Sequence, residues 1–241
     1  VAGIAELFGI RLAENFRRPY FAVSLGDFWR RWHISLGAWM RDYVFYPFAL
    51  SRPVSRLSKA AKGRFGAAFA RALPAALGNI LVFALVGVWH GAASNYILWG
   101  LYNGVILAVT ALLELRYKRL NERRVLRTFV IVNIGWFFDR CATAGDAVRM
   151  MGGVFARPEW AQVRLDNLGI SPLDARILAV GVLLLAAVSL LGENGKDVRG
   201  WLASRALPIR WAAMLAGTIA VLLLGVWGSG FSEASFIYFN F

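Results

Sequence analysis

The sequence predicts an all-α, multi-pass transmembrane protein with short amphipathic or re-entrant helices. Three observations carry that prediction. The 241 residues are 59% hydrophobic, where a soluble domain is nearer about 45–50%. Several apolar runs reach about 18 residues or more, the length at which a helix begins to span a bilayer. The excess positive charge, +13, collects between those runs, as it does in the cytoplasmic loops of membrane proteins. That placement argues against a nucleic-acid partner, which the net charge alone would suggest. One cysteine, Cys141, allows no internal disulfide and reads as an ordinary apolar thiol. Two distant histidines without a carboxylate cluster argue against a metal site.

We read 1–241 as a single membrane-embedded domain. It begins with Val1 rather than Met and shows no charged leader with a cleavage site. It is therefore expected to be the C-terminal part of a longer protein.

Residues 1–24 are mixed and suggest a short amphipathic element plus a turn. Residues 26–47 form an aromatic, basic stretch that Pro47 ends. Residues 51–73 hold six basic residues and no acid, which predicts a cytoplasmic loop or a surface-lying helix. The apolar block 74–113 would run about 57–60 Å as one helix, twice the hydrocarbon thickness. It must break, and His90–Asn95 is its most polar point, so two spans are expected at about 75–90 and 95–113. Residues 114–127 are basic again. Residues 128–139 are apolar but short for a span. Residues 140–172, with Pro158, read as a mixed-charge loop. Leu173–Leu191 and Ile209–Trp227 read as clear spans, joined by a linker with Lys196, Arg199, Arg205 and Arg210. With 51–73 inside, the three basic linkers fall on one side, which supports five passes; the expected location is the cytoplasmic membrane.

Phe28–Tyr43 packs three tryptophans, three arginines, an aspartate and His33 into sixteen residues. On a helical wheel, Phe28, Trp32, Leu36, Trp39 and Tyr43 share one face, and Arg30 and Arg41 the opposite one. His33 lies on the border, one turn from Gly37. Two readings stand. The helix anchors at the interface with arginines toward phosphates, or it lines a polar cavity with His33 facing in. The second histidine, His90, sits at membrane depth, where ionisable side chains usually face a cavity or a partner. Gly87 and Ser94 would flank it on a continuing helix and leave space beside the ring. A buried imidazole bonded to a neighbouring helix is one reading. A general base that takes a hydroxyl proton during attack on an acyl carbon is the other.

Glu14–Phe48 and Val86–Gly104 together resemble the membrane-bound O-acyltransferase family, in its bacterial branch that acylates cell-envelope polymers. Phe129–Arg140 and Phe236–Phe241 extend the resemblance over nearly the whole chain. Ala93-Ser94, Asn103-Gly104 and Phe138-Asp139-Arg140 depart from that pattern. The resemblance implies a multi-helix membrane fold with a tunnel, His90 as the catalytic histidine and His33 as the second. Trp32, Arg30, Arg41, Ser94 and Asn95 are its candidate tunnel residues.

The resemblance further implies no bound cofactor or metal. The acyl donor is a co-substrate, acetyl-CoA-derived or a carrier-protein thioester, that arrives from the cytoplasmic side. The acceptor is an envelope polysaccharide hydroxyl. Membrane lipids surround the protein, and a second envelope acetyltransferase is an expected partner. Acetyl transfer leads; D-alanyl transfer from a carrier protein to teichoic acid is the alternative, and a non-catalytic transporter or scaffold the second. The basic segments 51–73 and 114–127 suit an acidic carrier or anionic lipid.

Overall fold

Helices supply every regular element in this structure, a computed structural model that describes residues 2–114, 125–156 and 171–225. The chain divides into two compact units, Val1–Pro158 and Glu159–Phe241. The basic stretch 115–124, the part of the expected loop at 157–170 and the terminus from 226, with Phe236–Phe241, lie outside the described residues.

The first unit opens with α1 (Ala2–Leu7) and a 3₁₀ turn at Pro19–Phe21. The aromatic stretch then forms two helices where the wheel assumed one. Helix α2 (Leu25–Arg31) starts at a reciprocal cap: Ser24 Oγ accepts the Asp27 N–H at 3.1 Å, and the Asp27 carboxylate accepts the Val23 N–H at 3.2 Å. It stops at Trp32, which is extended. His33 takes φ 49°, ψ 52°, and α3 (Ile34–Met40) begins directly after it. From Met40 the rod continues through a π-turn at Arg41–Phe45 into α4 (Tyr46–Ala49). Tyr46 N–H reaches back five residues to the Arg41 carbonyl, and Pro47 brings no donor of its own. The single aromatic face is thereby split. Phe28 is fully buried, whereas Trp39 and Tyr43 are exposed and pack on each other at 5.3 Å.

Helix α5 (Arg52–His90) is 39 residues long but not straight. Gly66 has φ 86°, ψ 167°, outside the helical region and open to glycine alone at little cost. The Ser58 hydroxyl donates to the carbonyl of Ala70, twelve residues on. On a straight helix those residues lie about 18 Å apart, so the arm 52–65 doubles back on the run 67–90. Pro74 explains the acceptor: it lacks the N–H that would have bonded Ala70, and Ser58 fills that place. The basic segment is thus a helical arm against the span.

The block 74–113 breaks as expected. Helix α5 ends at His90, and α6 (Ser94–Glu114) returns beside it. Glycines set the crossing. A Cβ on Gly87 would stand 2.6 Å from the Tyr96 carbonyl oxygen, one on Gly104 would stand 2.9 Å from Ile80 Cα, and one on Gly100 would collide with the Phe83 carbonyl. Small residues four apart let two membrane helices touch along their backbones. Gly87 therefore makes room for α6, not for space beside the His90 ring.

Helix α7 (Val125–Arg140) buries Thr128, Val132, Gly135 and Phe138 along one stripe, and Tyr102 of α6 donates to the Ile131 carbonyl at 2.8 Å. Its described part is 16 residues, about 24 Å, and begins where the described residues resume after 115–124, the flank into which the expected fifth pass would extend. Among the described residues four helices are long and apolar enough to cross a membrane: α5, α6, α9 (Pro172–Glu193) and α11 (Leu207–Leu224). The expected loop after 140 instead contains α8 (Ala144–Ala156), capped by Thr143, whose Oγ1 accepts the Asp146 N–H at 3.2 Å and donates to its carboxylate at 2.7 Å. Ala147, fully buried, joins Met40, Val86, Trp99, Phe138 and Cys141 in the main core.

The second unit contains α9 (Pro172–Glu193), α10 (Val198–Ala203) and α11 (Leu207–Leu224). Ser171 caps α9 with Pro172 in its first turn, and Asp197 caps α10. The membrane-length windows of α9 and α11 bury none of their residues within the chain. Two predominantly apolar windows of that length with no residue buried within the chain belong in lipid. The protein is an integral membrane protein.

Candidate functional site

The two histidines reach one cavity by different routes. His33 stands at the N-cap of α3 in a left-handed conformation and makes no capping hydrogen bond. A non-glycine residue at positive φ costs on the order of 1–3 kcal/mol and needs support from around it. His90 is the last residue of α5, placed by the glycine crossing with α6. Gly91, at φ 153°, carries the chain away.

The cavity has a volume of about 460 Å³ and is lined by both histidines, with Trp32, Arg30 and Arg41. Gly37 lines it beside His33, one turn on, where its N–H bonds the His33 carbonyl at 3.0 Å. Trp29, Phe83, Val86 and Trp99 give an apolar wall, and Asn79 a polar point. A second cavity of about 340 Å³ shares Gly26, Arg30, Asn79 and Leu107 with the first. These sizes match small-molecule sites.

Aromatic rings connect the histidines. Trp89 meets the His33 ring edge-on at 6.0 Å and the His90 ring edge-on at 5.0 Å. Trp99 packs edge-on to His90 at 5.0 Å and to Trp29 at 5.7 Å. The buried Nδ1 atoms of His33 and His90 and the indole N–H of Trp29 have no hydrogen-bond partner among the described residues. Burial pushes the His33 imidazole below its ordinary range, so it is neutral near pH 7. Arg41 pairs with its neighbour Asp42 at 2.8 Å, which holds that carboxyl below the usual range. Arg30 lies 3.6 Å from Asp27 and is largely exposed.

The arrangement can take a proton at imidazole, donate to an oxygen from an indole N–H, and hold an apolar chain against the wall. Ser94 and Asn95 do not line the cavity. Ser94 begins α6 and is exposed. Asn95 is buried and donates through Nδ2 to the carbonyls of Phe138 and Cys141 at 3.2 and 2.9 Å, clamping α6 to the end of α7. Among the described residues no group of three His, Cys, Asp or Glu side chains could hold a metal ion.

Trp29, Asn79 and Trp99 line the cavity and were not singled out from the sequence. Trp99 had a signal: Asn95, Trp99 and Asn103 recur every four residues as the buried stripe of α6. Asn79, inside an apolar run, was the other.

The family model "MBOAT, membrane-bound O-acyltransferase family" matches residues 3–151. The probable alginate O-acetylase AlgI of Pseudomonas putida is 34% identical over 187 residues, 76% of this chain and 35% of that protein. The teichoic acid D-alanyltransferase of Bacillus subtilis is 34% identical over 144 residues, 56% of this chain and 34% of its own length. The peptidoglycan O-acetyltransferase of Helicobacter pylori is 31% identical over 157 residues, 63% of this chain and 27% of that protein. This chain thus spans about a third of the length of the curated relatives it matches. No solved structure matches it.

Proposed function

Since this chain belongs to the membrane-bound O-acyltransferase family, we propose that it carries the histidine site of an enzyme that acylates hydroxyls of an extracytoplasmic cell-envelope polysaccharide, acetyl being the group transferred. The observation that carries this reading is the convergence of His33 and His90 on one cavity with an apolar wall. The support for acetyl is the alginate O-acetylase and peptidoglycan O-acetyltransferase among the relatives.

In this reading His90 is the general base. The acceptor hydroxyl attacks the acyl carbon of a thioester donor as His90 takes its proton. The tetrahedral intermediate then collapses, the C–S bond breaks, and the proton passes to the leaving thiolate. Ester and free thiol are the products. His33 assists as the second imidazole, and the Trp29 indole N–H is a donor for the developing oxyanion. The donor, acetyl-CoA-derived or carried on a protein, enters from the cytoplasmic side of the cytoplasmic membrane. The arm 52–65, with Arg52, Arg56, Lys59 and Lys62 exposed, suits anionic lipid or an acidic carrier.

D-alanyl transfer to teichoic acid is the second reading, favoured by the Bacillus subtilis relative. One experiment tests both. The full-length gene, wild type and His90→Ala, is expressed in a host lacking its own enzyme, and base-labile acyl groups are released from the envelope and identified. Acetate that depends on His90 supports the first reading, and D-alanine the second. Wild-type ester levels from a folded His90→Ala protein would overturn the catalytic role.

A further inference from the structure

The segment Glu14–Arg17 ties down the junction of α2 and α3 on both sides of His33. Arg17 N–H donates to the Arg31 carbonyl at 2.8 Å, and Ile34 N–H donates to the Asn15 carbonyl at 3.0 Å. The Asn15 side chain adds Oδ1 as acceptor for the Ser35 N–H at 2.9 Å and the Ser35 hydroxyl at 2.6 Å. Phe16 packs edge-on against Trp32 at 4.9 Å and lies 6.2 Å from the His33 ring.

A helix must satisfy its first N–H groups, and the N-cap side chain usually takes one of them. His33 occupies the N-cap of α3 and takes none. Asn15, twenty residues before Ser35, serves both Ile34 and Ser35 instead. The cap comes from outside the helix, and the imidazole is left for the cavity.

We propose that Asn15 is a positioning residue for the transfer reaction: by capping α3 from a separate segment it fixes the left-handed turn at His33 and so aims that ring into the cavity shared with His90. This rests on the reading of the chain as part of an acyltransferase. Without Asn15 Oδ1, the Ser35 N–H and hydroxyl need other acceptors, and the Asn15 main-chain carbonyl alone holds the Ile34 N–H. The backbone at residue 33 is then released toward the commoner regions of φ and ψ, which swings the ring.

The test uses the full-length protein in membranes, as wild type, Asn15→Ala and Asn15→Asp. The first readout is base-labile ester in the envelope per unit of folded enzyme. The second is the rate at which diethyl pyrocarbonate modifies His33, with His90 as the internal control, followed by mass spectrometry. Asn15→Ala is expected to lower ester yield by about tenfold or more, since small misplacements of reacting groups carry losses of that order. It is expected to speed modification of His33 but not of His90. Asn15→Asp keeps an oxygen acceptor and is expected to restore both readouts. If Asn15→Ala does not accumulate folded, Asn15→Ser, which has a shorter acceptor, decides the same comparison.

Ester yield within about twofold of wild type in the Ala variant, or equal changes at both histidines, overturns the positioning role and leaves the functional reading intact. A wild-type protein that makes no ester above the empty-vector level overturns the functional reading, and the inference falls with it.

Discussion

The two histidine neighbourhoods are built on opposite plans. Around His33 the chain is broken into short helices joined at a left-handed residue, and hydrogen bonds from Glu14–Arg17 hold the break. Around His90 two membrane-length helices cross on glycines with backbone against backbone. The first plan sets position by directed bonds, so losing one acceptor shifts a ring while the core remains. The second sets position by contact, so a single added methyl meets main chain that cannot give way. The cavity depends on both plans being kept at once.

The largest expected effect is on activity. His90→Ala should lower ester formation by about 10²–10⁴-fold, the range of a general base, while leaving the melting temperature within a few degrees. Comparing it with His33→Asn, which removes the imidazole yet tolerates positive φ, separates the two rings. A larger loss at position 33 than at 90 would reverse the assigned roles.

Gly100→Ala should destabilise by about 1–3 kcal/mol, because its Cβ collides with the Phe83 carbonyl rather than with a movable side chain. A denaturation midpoint equal to wild type would show that the α5–α6 crossing can relax. Asn95→Ala should cost about 1–3 kcal/mol by leaving two buried carbonyls unpaired, yet keep activity per folded molecule. Lost activity at unchanged stability would restore Asn95 to the tunnel.

The smallest effect is with pH. Burial holds the His33 pKa below its ordinary 6.5. The unfolded chain therefore binds this proton first as pH falls. The stability contribution of the neutral ring is present above pH 6.5 and is lost as pH drops through the lowered value. The melting temperature should fall more steeply below pH 6.5 in wild type than in His33→Asn. Parallel curves would remove His33 from the titrating set.

What could be read from the sequence tracks which residues carry the signal. The break after His90 was legible because Gly91, Ala92, Ala93 and Ser94 interrupt an apolar run too long for one span. The outward-facing α9 and α11 were legible from composition alone. The break at His33 was not, since Phe28–Leu36 contains neither glycine nor proline and the turn is fixed by Asn15 from a distant segment. A wheel drawn through it joined two helices that do not share an axis. Helix α8 was read as loop because of its charges, although Thr143-x-x-Asp146 ahead of Ala147 and Met151 is a start signal. Gly87 was read as space beside the His90 ring because a glycine in a lone sequence does not show whether a ligand or another helix fills its gap. Both histidines and Trp32, Arg30 and Arg41 line the cavity.

The reversal at Gly66 divides α5 into two parts with separate lifetimes. The arm 52–65 is held by the Ser58–Ala70 bond and by few buried side chains, Val54 among them. The run 67–90 is locked into the crossing with α6. Amide protons on the arm should exchange through cheap local opening, while those of residues 76–87 should exchange only when the unit unfolds. A peptide-resolved exchange map would then place a sharp step in protection at Gly66, inside a segment that secondary structure alone treats as one body.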